Sequence, residues 1–519
     1  MNYIESIVLK NFKRFDDFEV PFNDNTNLLI GDNESGKSTI LSAIDFVISG
    51  SRNKIENQGL DSLFNISTVE TFLSGTKKYK DLPILFIELY LNETGIDDLF
   101  GQFNSKDKKS DGLMLICKPR EDLSKEIQEI LDQPESNFPY EYYSIAFKTF
   151  KGESYTGYRK FLKHILIDNT QISNEYATKE FTKSMYNSYV TDIEKSKHKN
   201  EYRKYKGIFK TTAFKEMNDK ISDYSFGIKT NSKSNLESDI TIFENGISIE
   251  NRGKGRQCFV KTEFALLKKE IDLDIVLIEE PENHLSHIKM RNLINRIAQS
   301  NEKQIFIATH NDLISTRLDL RKSILLNCNS TTPLLLSSIP EDTAKFFMKA
   351  PDNNILQFIL SSKVILVEGD AEYILIEELY NKIATKKPEE DGVHIISVGG
   401  TSFKRYLDLA KQLEIKTAVI RDNDKKYKEN CIDNYSAYPE THLKIFADTD
   451  NDIYTFEVAM YNANKEICDD LFGSRVRTLT VQEFMLSNKT EAAFELLDKK
   501  QSKISCPNYI KEAIEWIKE

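Results

Sequence analysis

The chain has few of the features that mark secreted, membrane-spanning or disulfide-stabilised proteins. Among its 519 residues there is no run of about eighteen apolar residues, the length that a transmembrane helix needs. The six cysteines are scattered and none forms a Cys-x-x-Cys pair, which predicts free thiols rather than a disulfide frame or a zinc site. No basic segment followed by an apolar block opens the sequence. We therefore expect a cytoplasmic protein without a membrane partner.

An excess of positive charge is also missing. The 70 Lys and Arg residues stand against 81 Asp and Glu residues, which gives a net charge of −11. This balance excludes a global basic field for wrapping nucleic acid, so any such contact needs a local patch. A metal-dependent nuclease remains compatible, because clustered carboxylates push the balance acidic. With 40% hydrophobic residues the chain is expected to fold, into about two to four domains.

One local basic patch is present in the region from about residue 165 to 225. This region is polar, rich in Lys and Tyr, and poor in Gly and Pro, which favours helices. Its basic run consists of Lys195, Lys197, Lys199, Arg203, Lys204 and Lys206. The run is either a solvated helix face or a nucleic-acid contact.

A phosphate-binding loop lies near the start of the chain. Residues 31–38 read G-D-N-E-S-G-K-S and fit the pattern G-x-x-x-x-G-K-[ST], with an apolar strand before them and helical apolar spacing after them. The glycines let backbone N–H groups face phosphates, and the helix N-terminus adds partial positive charge. Lys37 is expected to reach the β- and γ-phosphates, and Ser38 to ligate Mg²⁺. The residues expected to bind the nucleotide here are Asn33, Gly36, Lys37, Ser38 and Thr39.

Two later strands end in groups that such a loop needs. Residues 275–282 are an apolar run that ends in acids, where Glu279 is expected near Mg²⁺ and Glu280 is expected to act as general base. Residues 305–310 form another apolar run, and its terminal His310 is expected to sense the γ-phosphate.

A basic, glycine-containing loop precedes the acidic strand by some twenty residues. It reads R-G-K-G-R-Q over residues 252–257 and opens a helical pattern. Such a loop suits the γ-phosphate of a nucleotide that another subunit holds. We therefore expect Arg252, Gly253 and Gly255 to belong to a composite nucleotide site.

A second α/β block begins at Lys363. Two of its apolar runs end in acids, the first at Glu368 and the second in the Asp-x-Asp sequence of Asp422 and Asp424. The carboxyl ends of parallel strands are neighbours, so these three side chains are expected to converge. Converging carboxylates repel one another unless cations bind, which predicts a Mg²⁺ or Mn²⁺ site. Two such ions would suit phosphodiester hydrolysis.

The elements of the first block, in this order, resemble an ABC-type ATPase of the branch shared by structural-maintenance-of-chromosomes, RecF and overcoming-lysogenization-defect (OLD) proteins. The resemblance rests on N-F-K-R-F at residues 11–15 and E-E-P-E-N-H-L at residues 279–285. Residues 252–257 depart from the transporter L-S-G-G-Q form and resemble the OLD-like version; no Q-loop glutamine is assigned. The resemblance implies that ATP lies between two heads and that the helical insertion near residues 165–225 helps dimerisation.

The second block resembles the Toprim domain of topoisomerases, primases and OLD nucleases. Glu372 lies one helical turn after Glu368, and T-F-E at residues 455–457 resembles the later acidic motif of OLD nucleases. N-K-T-E-A-A at residues 488–493 resembles their closing lysine motif, which implies that Lys489 stabilises charge on the scissile phosphate. A structural role for Glu372, Glu457 or Lys489 stays open. The implied catalytic and metal-binding acids are Glu368, Glu372, Asp422, Asp424 and Glu457.

The sequence is therefore identified as a member of the OLD family. The implied fold is α/β, an ABC-type P-loop ATPase head with a helical dimerisation insertion, followed by a Rossmann-like Toprim domain. The expected boundaries are 1–164 and 236–345 for the two parts of the head, 165–235 for the insertion, 355–500 for Toprim and 501–519 for a closing helix. The implied activity is that of an ATPase-coupled DNA endonuclease of anti-phage defence, using ATP and Mg²⁺ or Mn²⁺ as a homodimer or homotetramer.

Several alternatives stay open. The partner that the resemblance implies is a UvrD-like helicase, as in Gabija systems, or a retron reverse transcriptase with its RNA. A different class of protein would be a non-nucleolytic, ATP-dependent sensor or scaffold whose Toprim domain binds metal or a partner. The acidic set and Lys489 argue against it. A nuclease that only senses ATP is disfavoured by Lys37, Glu280 and His310, whereas a RecF-like repair ATPase would lack the second block.

Overall fold

The computed structural model describes residues 2–133, 135–157, 161–170, 175–229, 235–266, 273–300, 302–327, 332–349, 354–400, 402–475 and 478–519. The chain divides into two compact units. The first consists of Met1–His310 and Lys322–Pro333, and the second of Asn311–Arg321 and Leu334–Glu519. The finer domain boundaries that the sequence suggests stay predictions. Within the described ranges, no helix is both long and apolar enough to cross a bilayer.

The first unit combines two larger sheets with helices. Its strands are β1 (Ile4–Phe12), β2 (Phe15–Pro21), β3 (Thr26–Gly31), β4 (Leu85–Leu91), β5 (Phe100–Gly101), β6 (Ser110–Pro119), β7 (Tyr143–Thr149), β8 (His164–Asp168), β9 (Phe243–Glu244), β10 (Ile247–Ser248), β11 (Ile275–Glu279), β12 (Gln304–Thr309) and β13 (Ser323–Leu326). Its helices are α1 (Lys37–Ser49), α2 (Arg52–Gln58), α3 (Ile66–Ser74), α4 (Ser124–Leu131), α5 (Glu175–Tyr189), α6 (Asp192–Thr212), α7 (Lys215–Asn218), α8 (Leu236–Asp239), α9 (Lys254–Leu266) and α10 (His287–Ala298).

One sheet of this unit is antiparallel and the other is parallel. The antiparallel sheet runs in the order β2-β1-β4-β6, with β5 and β7 both paired to β6. In the parallel sheet β13, β3, β12, β11 and β8 are neighbours in that order. Every residue of β3 and of β12 is buried, which explains why these strands read as continuous apolar runs rather than as alternating ones. The loop predicted to bind phosphate joins the buried strand β3 to α1, as expected.

The sequence-based prediction was wrong at the start of the region from residue 165. Helices were expected there, but His164–Asp168 is the strand β8, which pairs in parallel with β11 so that Asp168 lies opposite Glu279. Ile165 and Ile167 are its buried residues. A five-residue strand beside a long polar helical region gives a weak signal, because the helical composition around it dominates any window of sequence. The helices α5 and α6 follow, as predicted.

A buried ion pair fastens α1 to β8. The carboxylate of Asp45, on α1, lies 2.8 Å from Nζ of Lys54. It also lies 2.8 Å from Nε2 of His164, the first residue of β8. Burial would raise the pKa of Asp45, but Lys54 and His164 together hold it well below its usual range. The helix that follows the phosphate-binding loop is therefore fixed to the strand beside β11.

The predicted basic run lies on α6. A capping box between Thr191 and Glu194 begins this helix. Lys195 and Lys199 both pair with Glu237, at 3.2 and 2.7 Å. Because α8 supplies carboxylates to this part of the run, the structure favours the solvated, ion-paired interpretation over a nucleic-acid contact.

The second unit contains a smaller sheet and ten α-helices among its described residues. The strands of this unit are β14 (Leu334–Leu335), β15 (Lys363–Val367), β16 (Val393–Ser397), β17 (Lys416–Ile420) and β18 (Leu443–Phe446), of which the last four form the sheet. Its helices are α11 (Asp312–Arg317), α12 (Glu341–Lys349), α13 (Ile355–Leu360), α14 (Asp370–Ala384), α15 (Phe403–Leu413), α16 (Phe456–Ala463), α17 (Lys465–Phe472), α18 (Val481–Ser487), α19 (Lys489–Lys500) and α20 (Asn508–Lys518).

The strands β16, β15, β17 and β18 form a parallel sheet in that order. Apolar residues of the sheet and of α14, α16, α19 and α20 form one core. In this register Leu366 of β15 lies opposite Val419 of β17, and Ile420 of β17 lies opposite Phe446 of β18. The segments that leave these strands therefore emerge at one edge of the sheet, which confirms the neighbouring strand ends that the sequence predicted.

Candidate functional site

The first candidate site is the loop between β3 and α1. Nζ of Lys37 donates to the carbonyl oxygens of Gly31 and Asp32, at 2.6 and 2.7 Å, so the ammonium lies inside the curl of the loop. Gly36 has φ +104°, and a Cβ atom there would come within 2.5 Å of the Phe15 ring. Only glycine fits this position. The loop thus has the shape that a phosphate group requires, with Lys37 at its centre.

The acidic end of β11 faces this loop. Oγ of Ser38 donates a short hydrogen bond to Oε1 of Glu279. Burial raises the pKa of Glu279, and the neighbouring carboxylates Asp168 and Glu280 raise it further, while Ser38 opposes them. The two residues predicted to hold Mg²⁺, Ser38 and Glu279, are therefore in direct contact.

Glu280 is oriented by two neighbours. Its backbone is left-handed, with φ 43°. Nδ2 of Asn283 donates to Oε2 of Glu280 at 2.9 Å, and Nδ1 of His310 lies 3.2 Å from its Oε1. A left-handed non-glycine residue is uncommon, and such strain is typical of functional positions. The predicted general base and the predicted sensor histidine are therefore brought together.

A third acid completes this strand edge. Glu282 is buried, and its Oε1 accepts from Oγ1 of Thr309 at 2.7 Å and from the backbone N–H of His310 at 3.3 Å. Burial raises the pKa of Glu282. Glu282 thus joins the end of β12 to the loop after β11 and fixes the backbone that carries His310.

The structure places the residues 252–257 elsewhere in the same unit. Arg252 donates to the carbonyl of Glu244 at 2.6 Å and pairs with its carboxylate, so among the described residues it pairs with the β9–β10 hairpin rather than with the phosphate-binding loop. A Cβ atom on Gly255 would lie 2.0 Å from the carbonyl oxygen of His284. Gly255 is therefore required for the close approach of α9 to the acidic segment. A γ-phosphate role for Arg252, Gly253 and Gly255 stays a prediction.

Sequence reasoning missed two charged groups at this site. Asp168 ends β8 level with Glu279 and contributes to its raised pKa. Lys13, in the turn between β1 and β2, is partly buried; burial lowers its pKa and the charge of Glu279 opposes that shift. The available signal for Asp168 was an apolar run, residues 165–167, that ends in an acid, the same pattern that identified Glu279.

The second candidate site lies at the carboxyl edge of the sheet in the second unit. Glu368 follows β15, and Asp422 follows β17 with only 8% of its surface exposed. Glu372, on the first turn of α14, and Glu457, at the start of α16, are also buried. The fifth predicted acid, Asp424, has an exposed side chain.

The pKa values show how close these carboxylates are. Burial raises the pKa of Asp422 to about 8, and the charges of Glu372, Glu368 and Glu457 add to that shift. Burial raises the pKa of Glu372 to about 7, again with contributions from Glu457 and Glu368. Like charges raise a carboxylate pKa only at short range in a shielded environment. Glu368, Glu372, Asp422 and Glu457 are therefore electrostatically coupled. The third acid that the sequence predicted to converge, Asp424, instead has an exposed side chain 3.5 Å from Arg421.

Few protein donors neutralise this cluster. Nζ of Lys489, at the start of α19, lies 3.1 Å from Oε2 of Glu457, and the N–H of Phe456 donates to Oδ1 of Asp422 at 2.8 Å. Among the described residues, Oε2 of Glu368 and Oε1 of Glu457 are buried without a hydrogen-bond partner. Buried carboxylate oxygens without partners are costly, so a ligand that accepts their lone pairs is expected.

The donor set fits divalent cations. Within the described ranges, no three His, Cys, Asp or Glu side chains already stand in ligating geometry. Lys489 and the Phe456 N–H hold two of the carboxylates. Yet the oxygen donors, the unpartnered atoms and the raised pKa values are what Mg²⁺ or Mn²⁺ would relieve. The residues that would hold such ions are Glu368, Glu372, Asp422, Asp424 and Glu457.

Two further residues lie near the cluster and were not predicted. Asp448 follows β18, whose last residue, Phe446, lies opposite Ile420 at the end of β17. Tyr509, near the start of α20, is buried; burial raises its pKa, and the charges of Asp422, Glu372, Asp448 and Glu457 add to that rise. The missed signal for Asp448 was once more a strand that ends in an acid.

Comparison with known proteins matches both units. Residues 3–314 match the AAA ATPase domain family, and residues 359–424 match the family of overcoming lysogenization defect protein-like TOPRIM domains. The chain is 30% identical over 167 residues to Endonuclease GajA of Bacillus cereus (strain VD045), which is 31% of this chain and 28% of GajA.

Two further similarities each cover less than a third of the chain. DNA replication and repair protein RecF of Oenococcus oeni is 31% identical over 93 residues, 18% of this chain and 24% of RecF. The C-terminal region of the Burkholderia pseudomallei OLD protein covers 30% of this chain and 96% of its own, with 20% identity and a TM-score of 0.24. The chain thus spans less than a third of the length of the curated relatives that it matches.

Proposed function

The chain belongs to the OLD family, in which an AAA ATPase domain is joined to an OLD-like TOPRIM domain, and from this membership we propose that it is an ATPase-coupled, divalent-metal-dependent DNA endonuclease. The observation that carries the proposal is the buried carboxylate cluster at the ends of β15 and β17, with the cation Lys489 paired to Glu457. The similarity to Endonuclease GajA supports a nuclease rather than a binding protein.

In the second unit, Glu368, Glu372, Asp422, Asp424 and Glu457 would hold the divalent ions. When bound, the ions would supply the activation of water and the neutralisation of the leaving oxygen that phosphodiester hydrolysis needs.

The protein groups beside the ions have separate tasks. The N–H of Phe456 orients Asp422, and Lys489, held at Glu457, would bind a non-bridging oxygen of the scissile phosphate. Burial of Glu372 and Glu457 excludes bulk water, which strengthens each of these electrostatic contacts.

In the first unit, the same membership supports ATP hydrolysis. Lys37 would release the loop carbonyls and bind the β- and γ-phosphates, while Ser38 and Glu279 would hold Mg²⁺. Glu280 would accept the proton of the attacking water, because Asn283 and His310 orient its carboxylate. These roles follow from the contacts of the side chains.

Exposed apolar side chains support the proposed homodimer or homotetramer. The region from α6 to residue 228 carries a concentration of them, although α6 is otherwise highly charged. Contiguous exposed apolar surface is typical of protein–protein interfaces. The exposed apolar residues of this region are Ile193, Tyr205, Ile208, Phe209, Met217, Tyr224, Phe226 and Ile228. Dimerisation there would let residues 252–257 of one chain cover the nucleotide of the other.

We propose further that the nucleotide state of the heads controls access of DNA to the carboxylate cluster. The protein would act in the cytoplasm as an effector of anti-phage defence. Its partner would be a UvrD-like helicase, or a retron reverse transcriptase with its RNA. The family membership supports these roles.

The test is cleavage of supercoiled and linear DNA by the purified full chain, with Mg²⁺, Mn²⁺ or EDTA, each with and without ATP. We expect metal-dependent cutting that Asp422→Ala abolishes, and a change in cutting with Lys37→Ala that gives the sign of ATP coupling. Glu389→Ala, an exposed acid just before β16 at the opposite edge of the sheet, is the matched control. Metal-dependent cutting that survives Asp422→Ala would contradict the proposed site.

A further inference from the structure

A lysine-rich loop leaves the carboxylate cluster directly. After Asp422 and Asn423 the chain continues as Asp424–Lys428, D-K-K-Y-K, which we call the lysine loop. Lys425, Lys426 and Lys428 are exposed. Lys426 pairs with Glu429 at 3.2 Å, and Nζ of Lys425 lies over the ring of Tyr454, 4.4 Å from its centroid. Among the described carboxylates, none pairs with Lys425 or Lys428.

The backbone of the lysine loop is held in an uncommon shape. Asp424 and Lys425 both have positive φ, 50° and 64°, although neither is glycine. Two consecutive left-handed residues persist only where surrounding contacts fix them. The Lys425 N–H donates to Oδ1 of Asn423 at 2.8 Å, and the Asp424 N–H donates to the carbonyl of Tyr454 at 3.1 Å. The Tyr427 N–H donates to Oδ1 of Asn451 at 3.0 Å.

The buried side chain of Asn423 holds the backbone of the lysine loop in this conformation. Its side chain is 1% exposed, and its Nδ2 donates to the carbonyls of Asp448, Asp450 and Ile453, at 2.8, 2.9 and 3.1 Å. These three belong to the segment that leads from β18 to α16. The lysine loop is therefore tied to the same segment whose Phe456 N–H orients Asp422.

The acidic side chains of that segment are turned back on their own backbone. Oδ1 of Asp448 accepts from the Asp450 N–H, and Oδ1 of Asp450 accepts from the Asp452 N–H, both at 2.9 Å. Of the lysines in the loop, Lys426 pairs with the exposed Glu429, while none of the described carboxylates pairs with Lys425 or Lys428. The backbone of the lysine loop is fixed, whereas its lysine side chains are long, exposed and flexible. The loop can therefore hold its position while the ammonium groups adjust to the phosphates of a nucleic-acid backbone.

The carboxylate cluster alone would repel a polyanion. The chain carries a net charge of −11, and the cations at the cluster are few: Lys489 pairs with the buried Glu457, and the buried Arg421 lies 3.5 Å from Asp424. A nucleic-acid backbone that approaches the cluster needs positive charge beside it, and phosphate contacts of this kind set register and affinity without reading sequence.

We propose that the lysine loop binds the phosphate backbone of DNA beside the scissile bond, through Lys425, Lys426 and Lys428. The inference rests on the proposed function, which makes DNA the substrate of the adjacent cluster. It assigns the three lysines no part in the chemical step: they hold the strand in register while Lys489 and the acids, Asp424 among them, act.

The test replaces the three lysines by glutamine in the full-length Asp422→Asn protein and measures binding of a fluorescently labelled DNA duplex, and of a single strand, by anisotropy over a range of salt concentrations. The matched control replaces three exposed lysines toward the opposite edge of the sheet: Lys386 and Lys387, which follow α14, and Lys411, in the last turn of α15. Both triple variants remove three positive charges from exposed positions of the same unit.

We expect the lysine-loop variant to bind DNA about 10- to 100-fold more weakly near physiological salt, with the slope of log affinity against log salt reduced by about 2 to 3. The control variant keeps both values. In the otherwise unchanged chain, the same three substitutions raise the KM for DNA and leave kcat within about 2-fold, because the loop binds without entering the chemical step.

Equal DNA affinity and equal salt slopes for the lysine-loop variant and its parent would overturn the inference, as would a parent that binds neither DNA form. The proposed function fails differently. A chain that binds DNA through these lysines but never cuts it, with any metal, would contradict the nuclease and leave the loop assignment standing.

Discussion

The two units present acids at the carboxyl ends of parallel strands, but they neutralise them in different ways. In the first unit each acid of the E-E-P-E segment has a protein partner: Glu279 accepts from Ser38, Glu280 from Asn283, and Glu282 from Thr309. In the second unit the acids face one another, and burial with mutual repulsion raises the pKa of Asp422 to about 8.

Because of this difference, the two sites depend on their ligands to different degrees. In the first unit, protein hydrogen bonds hold the carboxylates in their orientation without a ligand. The nucleotide site is therefore preorganised before a nucleotide binds. Coupled carboxylates with unpartnered oxygens are held in an unfavourable state that protons or cations must relieve. The second site therefore depends on divalent ions for its stability as well as for its chemistry.

The largest effect that separates the two sites is expected from Asp422→Ala. Removing the most strongly coupled acid should lower the rate of DNA cleavage by about 10³-fold or more, the order expected when a metal ligand is lost. ATP hydrolysis, measured on the same preparation, should stay within about 2-fold of the parent. Equal losses of both activities would show that the two sites are not separable.

A converse effect is expected from Glu280→Gln in the first unit. Glutamine keeps a hydrogen-bonding group near Asn283 and His310 but cannot accept a proton, so kcat for ATP hydrolysis should fall about 10²- to 10³-fold. Nucleotide affinity, measured by titration calorimetry, should change little. Lys37→Ala is the contrasting variant, since it should remove nucleotide binding itself. Hydrolysis that continues unchanged in Glu280→Gln would remove the assignment of Glu280 as base.

The affinity of the second unit for Mn²⁺ should rise with pH. Without metal, Asp422 and Glu372 hold protons up to about pH 8 and about pH 7, and these protons must leave before the ions bind. We expect the Mn²⁺ affinity, measured by calorimetry in buffers of different ionisation enthalpy, to increase about 10-fold or more from pH 6 to pH 8, with proton release. Affinity that is independent of pH, without proton release, would contradict the coupling.

The smallest effect concerns stability without metal. Asp422 ionises near pH 3.8 in an unfolded chain and near pH 8 in the folded one, so the folded state binds the extra proton between these values. Stability in EDTA should therefore fall as the pH rises from about 4 to about 8. Asp422→Asn should restore about 1–3 kcal/mol at pH 8 and little at pH 4.

Thermal unfolding in EDTA measures this effect, with Glu389→Gln as the exposed control. In Mn²⁺ the order should reverse, and the parent should be the more stable protein. A parent whose metal-free stability rises between pH 5 and pH 8 relative to Asp422→Asn would contradict the raised pKa of Asp422.

Local sequence patterns predicted both strand-end sites well. An apolar run that ends in a polar group gave the strands β11, β12, β15 and β17, and with them Glu280, His310, Glu368 and Asp422. The pattern G-x-x-x-x-G-K-[ST] after β3 gave Lys37. The pattern works because buried parallel strands read as continuous apolar segments, and their carboxyl ends meet at one edge.

Other members of the sites depend on tertiary packing that no local pattern carries. Glu457 and Lys489 reach the cluster from α16 and α19, and only family resemblance pointed to them. Asp168 was missed because its short strand stands beside a helical region. The anchoring role of Asn423 lies in three backbone carbonyls some 25 to 30 residues later, which a sequence does not bring together.

The most direct test of the account is to count the Mn²⁺ ions that the full chain binds at pH 8 without nucleotide, by titration followed with electron paramagnetic resonance. We expect Mn²⁺ binding that Lys37→Ala retains, because the cluster of the second unit holds the ions, and that Asp422→Asn loses or weakens by at least about 10-fold. Binding that survives Asp422→Asn unchanged, or that disappears in Lys37→Ala, would contradict the claim that these carboxylates are assembled for divalent cations.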